Sequence, residues 1–174
     1  MQEKSGLYIG DTIKTPIGKL WLAVSDLGLV AVESGLTQAE FEAYLIKRFK
    51  RPVQPDPPRV LEAARQIDRF LSALQHTFTL GIDWTVLRPF QLAVLQATCE
   101  IPYGETRTYK EIAERIGRPR AARAVGRAEA TNPMPLVLPC HRVIGRDGKL
   151  HGYGLAEGVK TKEWLLKMEG AVMA

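Results

Sequence analysis

Cys140 and His141 stand side by side behind Pro139, followed by Arg142 and Val143, in the stretch NPMPLVLPCHRVIGRDG. A thiol next to an imidazole can be a nucleophile, a metal ligand or an ordinary buried residue. An unassisted thiol, with a pKa of about 8.5, is only slightly ionised at neutral pH. To attack anything it needs a base, a positive neighbour or a helix N-terminus. His141 supplies a base and Arg142 a positive charge. On an extended segment adjacent side chains point to opposite sides, so a bridging water would connect thiol and imidazole. A buried imidazole in turn needs a carboxylate to fix its orientation and stabilise its charge. Glu169, at the end of KTKEWLLKMEG, is the carboxylate that sequence position favours. Taken alone, Cys-His does not separate a nucleophile from a structural cysteine.

Metal binding has little support. The cysteines are two, Cys99 and Cys140, with no CxxC pair, and the three histidines share no ligand spacing. Two cysteines are also too few for a disulfide framework. The composition, 45% hydrophobic and 25% charged over 174 residues, is that of a globular chain of one good domain or two small ones. No apolar run is long enough to span a bilayer, and MQEKSGLYIG lacks the apolar core of a signal peptide. The expected location is the cytoplasm, or the nucleus if the source has one.

The net charge of +5 is uneven. Residues 1–87 carry ten basic and ten acidic side chains, and residues 88–174 carry fourteen and nine. Seven basic residues fall between Arg107 and Arg127, against two glutamates. Such a run reads either as a solvated helical face or as the footprint of a polyanion.

The elements that must position these groups follow from periodicity. IKTPIGKLWLAVSDLGLVAVES alternates about a short loop and predicts a β-hairpin. TQAEFEAYLIKRF opens with a capping box, Thr37 and Glu40, and continues as a helix. RPVQPDPP, with four prolines, predicts an extended loop, VLEAARQIDRFLSAL a second helix and FTLGIDWTV a third strand. From Arg88 the pattern turns helical. PFQLAVLQATCEI places Cys99 among apolar neighbours, which predicts a core position. Thr108 and Glu111 form a second capping box for YKEIAERI. Gly117 ends that helix, and Pro119 sits where RAARAVGRAEA would start. Two short helices about a tight turn read as helix-turn-helix. The second is built of small residues, from which Arg123 and Arg127 project. It is suited either to close packing on a neighbouring helix or to shape-based contact in a minor groove, and it lacks most of the side chains that read bases in a major groove.

Several elements, in order over residues 86–170, resemble the O6-alkylguanine-DNA alkyltransferases (methylated-DNA–protein-cysteine methyltransferases). They are TYKEIA with Tyr109, RAVG with Arg123, Asn132-Pro133 eight residues before the cysteine, PCHRV, Gly152-Tyr153, and LLKMEG with Glu169. The N-terminal half resembles the family in size and in TPIGKLWLAVSDLGL. The resemblance implies an α/β + α chain. Residues 1–84 would form a ribonuclease-H-like α/β domain without that enzyme's activity. Residues 85–174 would form a winged helix-turn-helix-like DNA-binding domain carrying the reactive cysteine.

The resemblance also implies roles. Cys140 would take the alkyl group from O6-alkylguanine, and from O4-alkylthymine with it, in a single irreversible turnover. His141 would accept the thiol proton through a water, oriented by Glu169, and Tyr109 would donate to guanine N3. Asn132 would tie the recognition helix to the cysteine segment. The carbonyls of Cys140 and Val143, and the amide of Gly154, would read the guanine edge, with Tyr153 beside them. Arg123 would fill the space left by the extruded nucleotide, and Arg127 and Arg142 would add DNA contacts. Extrusion is required because O6 of a stacked guanine lies out of a buried sulfur's reach. The implied partner is double-stranded DNA bearing the lesion, bound by a monomer, with cooperative binding along DNA left open. No cofactor or metal is implied, and the zinc ligands of some relatives are absent. One departure is a loop of four residues, 154–157, where the family usually has two, which would reshape the rim of the alkyl pocket. A Cys-His hydrolase and a non-catalytic DNA-damage-binding module are the competing readings. The first lacks an oxyanion-hole motif, and the second leaves Cys140, His141 and Glu169 unexplained.

Overall fold

A computed structural model describes residues 5–12 and 14–171. The first four residues of MQEKSGLYIG, Ile13 at the head of the predicted hairpin, and residues 172–174 lie outside them. The chain divides after Val86 into two compact units.

In the first unit, β1 (Leu7–Asp11), β2 (Leu20–Ser25) and β3 (Gly28–Ser34) form an antiparallel run. A short β4 (Val53–Pro55) adds in parallel to β1, giving the order β3-β2-β1-β4. Every residue of β2 is buried, which requires cover on both sheet faces. Trp21 and Ala23 point into a core with Phe41, Leu45 and Phe49 of α1 (Gln38–Phe49). The predicted capping box starts that helix: Glu40 N donates to Thr37 Oγ1 at 3.2 Å, and Thr37 N to Glu40 Oε2 at 2.7 Å. The helix α2 (Pro57–Leu71) approaches β1 so closely that a Cβ on Gly10 would lie 2.3 Å from Val60.

Two expectations are corrected here. RPVQPDPP is not all loop, because prolines lack only a donor and are tolerated on the edge strand β4. FTLGIDWTV is not a strand. It makes one bridge, Ile82 to Leu29, and then a 3-10 turn (Trp84–Val86). Asp83 interrupts it by turning inward to Arg51 at 3.0 Å and to the Ser25 hydroxyl at 2.6 Å.

The second unit packs α3 (Pro89–Cys99), α4 (Tyr109–Arg115) and α5 (Ala122–Ala130) around Val94, Ala97, Ile112, Val125 and Ala128. β5 (Arg107–Thr108) pairs in parallel with β6 (Val143–Ile144). A 3-10 turn, Cys140–Arg142, precedes β6, and α6 (Val159–Met168) closes the unit. The Thr108–Glu111 box caps α4 as predicted. Gly117, at φ 72°, takes the left-handed turn that ends it. The next helix starts at Ala122 rather than Pro119, with no side-chain cap. Cys99 is exposed, not core. The inward stripe of α3 is Val94, Leu95, Ala97 and Thr98, and Cys99 falls past its edge in the last turn. No helix among the described residues is long and apolar enough to cross a membrane.

Candidate active site

Parallel pairing of β5 with β6 sets Arg107 opposite Val143 and Thr108 opposite Ile144. That register brings the start of α4, hence Tyr109, to the segment that follows the cysteine. The cysteine segment is a 3-10 turn and not the extended strand expected, so Cys140, His141 and Arg142 fan out from a tight backbone. All three are buried.

Glu169 collects the donors of this turn. His141 Nε2 lies 2.6 Å from Oε1. Arg142 donates from Nε to Oε2 at 2.9 Å and from Nη2 to Oε1 at 3.0 Å, and the Gly104 amide reaches Oε2 at 3.1 Å. Burial alone would raise this carboxyl, but the His141 and Arg142 hydrogen bonds and charges hold it down at about 2. A carboxylate accepts only, so the proton between them sits on His141 Nε2, and Nδ1 is the nitrogen able to take another. Burial lowers the imidazole's own pKa, against the raising pull of Glu169.

Arg142 departs from its expected role. Its guanidinium is buried and forked onto Glu169, with Nη1 on the Ile101 carbonyl at 2.8 Å, so it is no surface DNA contact. A planar fork that matches a carboxylate explains its place beneath the histidine.

Burial, then the charge of Glu129, push the Cys140 thiol up to about 12, against a hydrogen bond from Asn132 and the charge of Lys162. Asn132 also donates from Nδ2 to the Leu138 carbonyl at 2.9 Å and accepts the Met134 amide at 2.9 Å. It therefore straps the end of α5 to the approach to Cys140. Burial, with the charges of Glu129 and Cys140, pushes the Tyr109 phenol up to about 12. Tyr153 is buried at its hydroxyl, and burial followed by Cys140 and Glu169 raises it further.

A groove of about 680 Å³ opens beside this cluster, lined by Tyr109, Arg123, Gly126, Arg127, Arg146 and His151 among others. Cys140 does not line it. Tyr109 stands at its wall, and the charge of Cys140 acts on its phenol. The Arg123 and Arg127 side chains are exposed and have no acid partner among the described residues. The basic run is thus divided. Arg107, Lys110 and Arg115 pair with Glu105, Glu114 and Glu100, whereas Arg118, Arg120, Arg123 and Arg127 have no acid partner among the described residues.

The two carbonyls expected to read a base already accept hydrogen bonds. Cys140 O takes the Val143 amide, and Val143 O takes Lys162 Nζ at 2.7 Å. Gly154 is exposed with open space about its Cα, in the four-residue segment before Gly158. Two residues escaped the sequence reading. Lys162 is 1% exposed and ties the Val143 and His151 carbonyls together, and Glu129 is 6% exposed. Both sit on amphipathic helices where a charge ordinarily faces water, so periodicity alone hides them. Among the described residues no three or more His, Cys, Asp or Glu cluster to hold a metal.

Residues 89–171 match the family model described as 6-O-methylguanine DNA methyltransferase, DNA binding domain. The chain is 46% identical over 168 residues to a methylated-DNA–protein-cysteine methyltransferase of Methanosarcina barkeri, covering 91% of this chain and 95% of that one. To the Mycobacterium tuberculosis protein of the same name it is 42% identical over 160 residues, covering 91% and 90%. The crystal structure of Mycobacterium tuberculosis OGT in complex with DNA is similar with a TM-score of 0.76 at 37% identity, over 94% of this chain and 92% of that one. The mixed α/β fold is common to both.

Proposed function

This chain belongs to the methylated-DNA–protein-cysteine methyltransferase family, and from that premise we propose that Cys140 is the sulfur that takes the alkyl group. The protein repairs DNA by transferring an alkyl group from the damaged base to itself. The observation that carries the assignment is the buried Cys140–His141–Arg142 turn locked onto Glu169, beside a groove rimmed by Arg123, Arg127 and Arg146.

In the transfer, Cys140 Sγ forms a bond to the alkyl carbon as the carbon–O6 bond breaks, and the electron pair stays with the purine. The thiol proton passes through a water to His141 Nδ1, and Glu169 stabilises the imidazolium that results. Tyr109 donates to the base as negative charge develops on it. A proton ends on guanine and the alkyl group remains as a thioether, which no residue here can cleave. One molecule therefore repairs one lesion.

The lesion reaches Sγ by leaving the stack. Arg123, on a helix of small residues, occupies the gap, and Arg127, Arg118, Arg120 and Arg146 contact phosphates. Asn132 and Lys162 hold the cysteine segment and the pocket wall in place. The partner is duplex DNA. The first unit acts as a scaffold of ribonuclease-H-like topology, and the second is a winged helix-turn-helix-like reaction domain. Intact-mass spectrometry after mixing with a duplex containing one O6-methylguanine tests this. One methyl group per protein, mapped to Cys140, is expected, and Cys140→Ser should bind the duplex yet gain no mass. A second methyl group, or a label on Cys99, would defeat the assignment.

A further inference from the structure

Glu129 lies one turn after Gly126 on α5 and three residues before Asn132, which follows the helix's C-cap Thr131. At one end, a Cβ on Gly126 would lie 3.8 Å from the Tyr109 ring. At the other, Asn132 holds the Leu138 carbonyl and the thiol itself. Glu129 is between them and buried. Its Oε1 accepts the Thr98 hydroxyl of α3, while Oε2 has no hydrogen-bond partner among the described residues. The titratable groups facing this carboxyl come from every element packed about it: Cys99 of α3, Tyr109 of α4, Cys140 of the 3-10 turn and Lys162 of α6. Lys162 is the cation of the set, and its Nζ is committed to two carbonyls. Packing does not call for an acid here. Glutamine would fill the same volume and accept the same Thr98 bond, and an orphaned buried oxygen is costly to keep.

We propose that Glu129 is a positioning residue for alkyl transfer, an acid that stands un-ionised between Tyr109 and Cys140 while they work and whose ionisation suppresses the reaction. The inference rests on the alkyl-transfer reading above. Transfer builds negative charge on sulfur as its proton leaves and on the purine as the carbon–O6 bond breaks. A carboxylate nearby in a low dielectric opposes both, and a neutral carboxyl does not. Burial raises Glu129 to about 7, against the Thr98 bond and the Lys162 charge, so the change falls where the folded protein can be studied. Below that pH the group is neutral, and above it the group works against the thiolate.

The test is the single-turnover rate of methyl transfer from an O6-methylguanine duplex, measured across pH with the full-length protein. The ratio of the Glu129→Gln rate to the wild-type rate should rise about tenfold between about pH 6 and about pH 8.5, the equivalent of one pKa unit on the thiol. Thr98→Val removes the bond that lowers the Glu129 pKa, so it should move the wild-type inflection to higher pH. A purely structural role predicts neither effect. A pH-independent ratio, or an inflection unmoved by Thr98→Val should the glutamine variant misfold, overturns the role of Glu129 and leaves alkyl transfer standing. Absence of transfer by the wild type at every pH overturns the alkyl-transfer reading itself.

Discussion

Glu169 shows how much one side chain can carry. It accepts from His141, Arg142 and Gly104, and its ionised form is what fixes the imidazole tautomer. Glu169→Gln removes a buried charge from Arg142, which keeps its own, and breaking such a pair costs about 3–5 kcal/mol. The variant should unfold at lower urea and transfer far more slowly. The pH dependence has a definite sign. Because the folded pKa of Glu169 is depressed to about 2, its contribution is complete above the ordinary carboxylate range and disappears as the pH falls through it toward 2. Urea titrations at successive pH values should show this acid slope in the wild type and a shallower one in the variant. An unchanged slope would mean the carboxylate is not held by its partners in solution.

At the level of elements, both capping boxes were legible because the side chains that close them are local. Thr108→Ala should lower stability by about 1 kcal/mol and, by fraying the first turn of α4, displace Tyr109 as well, read as a lower Tm and slower transfer. The Cys-His-Glu set could also be named from sequence, since a thiol and an imidazole in one pentapeptide limit the choices. What could not be read was set by distant packing. Val53–Pro55 is a strand because β1 offers an open edge, and FTLGIDWTV is not one because Asp83 must meet Arg51. Arg142 looked like a surface cation because nothing local announces a carboxylate 27 residues away. Glu129 and Lys162 were invisible for the same reason, being charged residues that the tertiary fold buries.

Across the molecule, the whole charge excess lies in the second half of the chain, and the structure narrows it to a few cations. Arg107, Lys110 and Arg115 are neutralised by neighbouring acids, whereas Arg118, Arg120, Arg123, Arg127 and Arg146 have no such acid among the described residues. Binding to undamaged duplex should therefore weaken with salt, and the double variant Arg118→Ala/Arg120→Ala should reduce the slope of log K against log salt by about 0.9 for each phosphate that the variant no longer neutralises. Lys110→Ala should change it less, since Glu114 already screens that charge. Equal effects from both would mean that acid pairing does not decide which cations meet DNA.

The three segments gathered by Glu169 are far apart in the chain: a turn near Gly104, the cysteine turn, and the end of α6. A nascent or partly melted molecule can bring any two together and still lack the third. Such a species leaves the imidazole without the carboxylate that fixes its tautomer, so alkyl transfer waits until all three segments have joined.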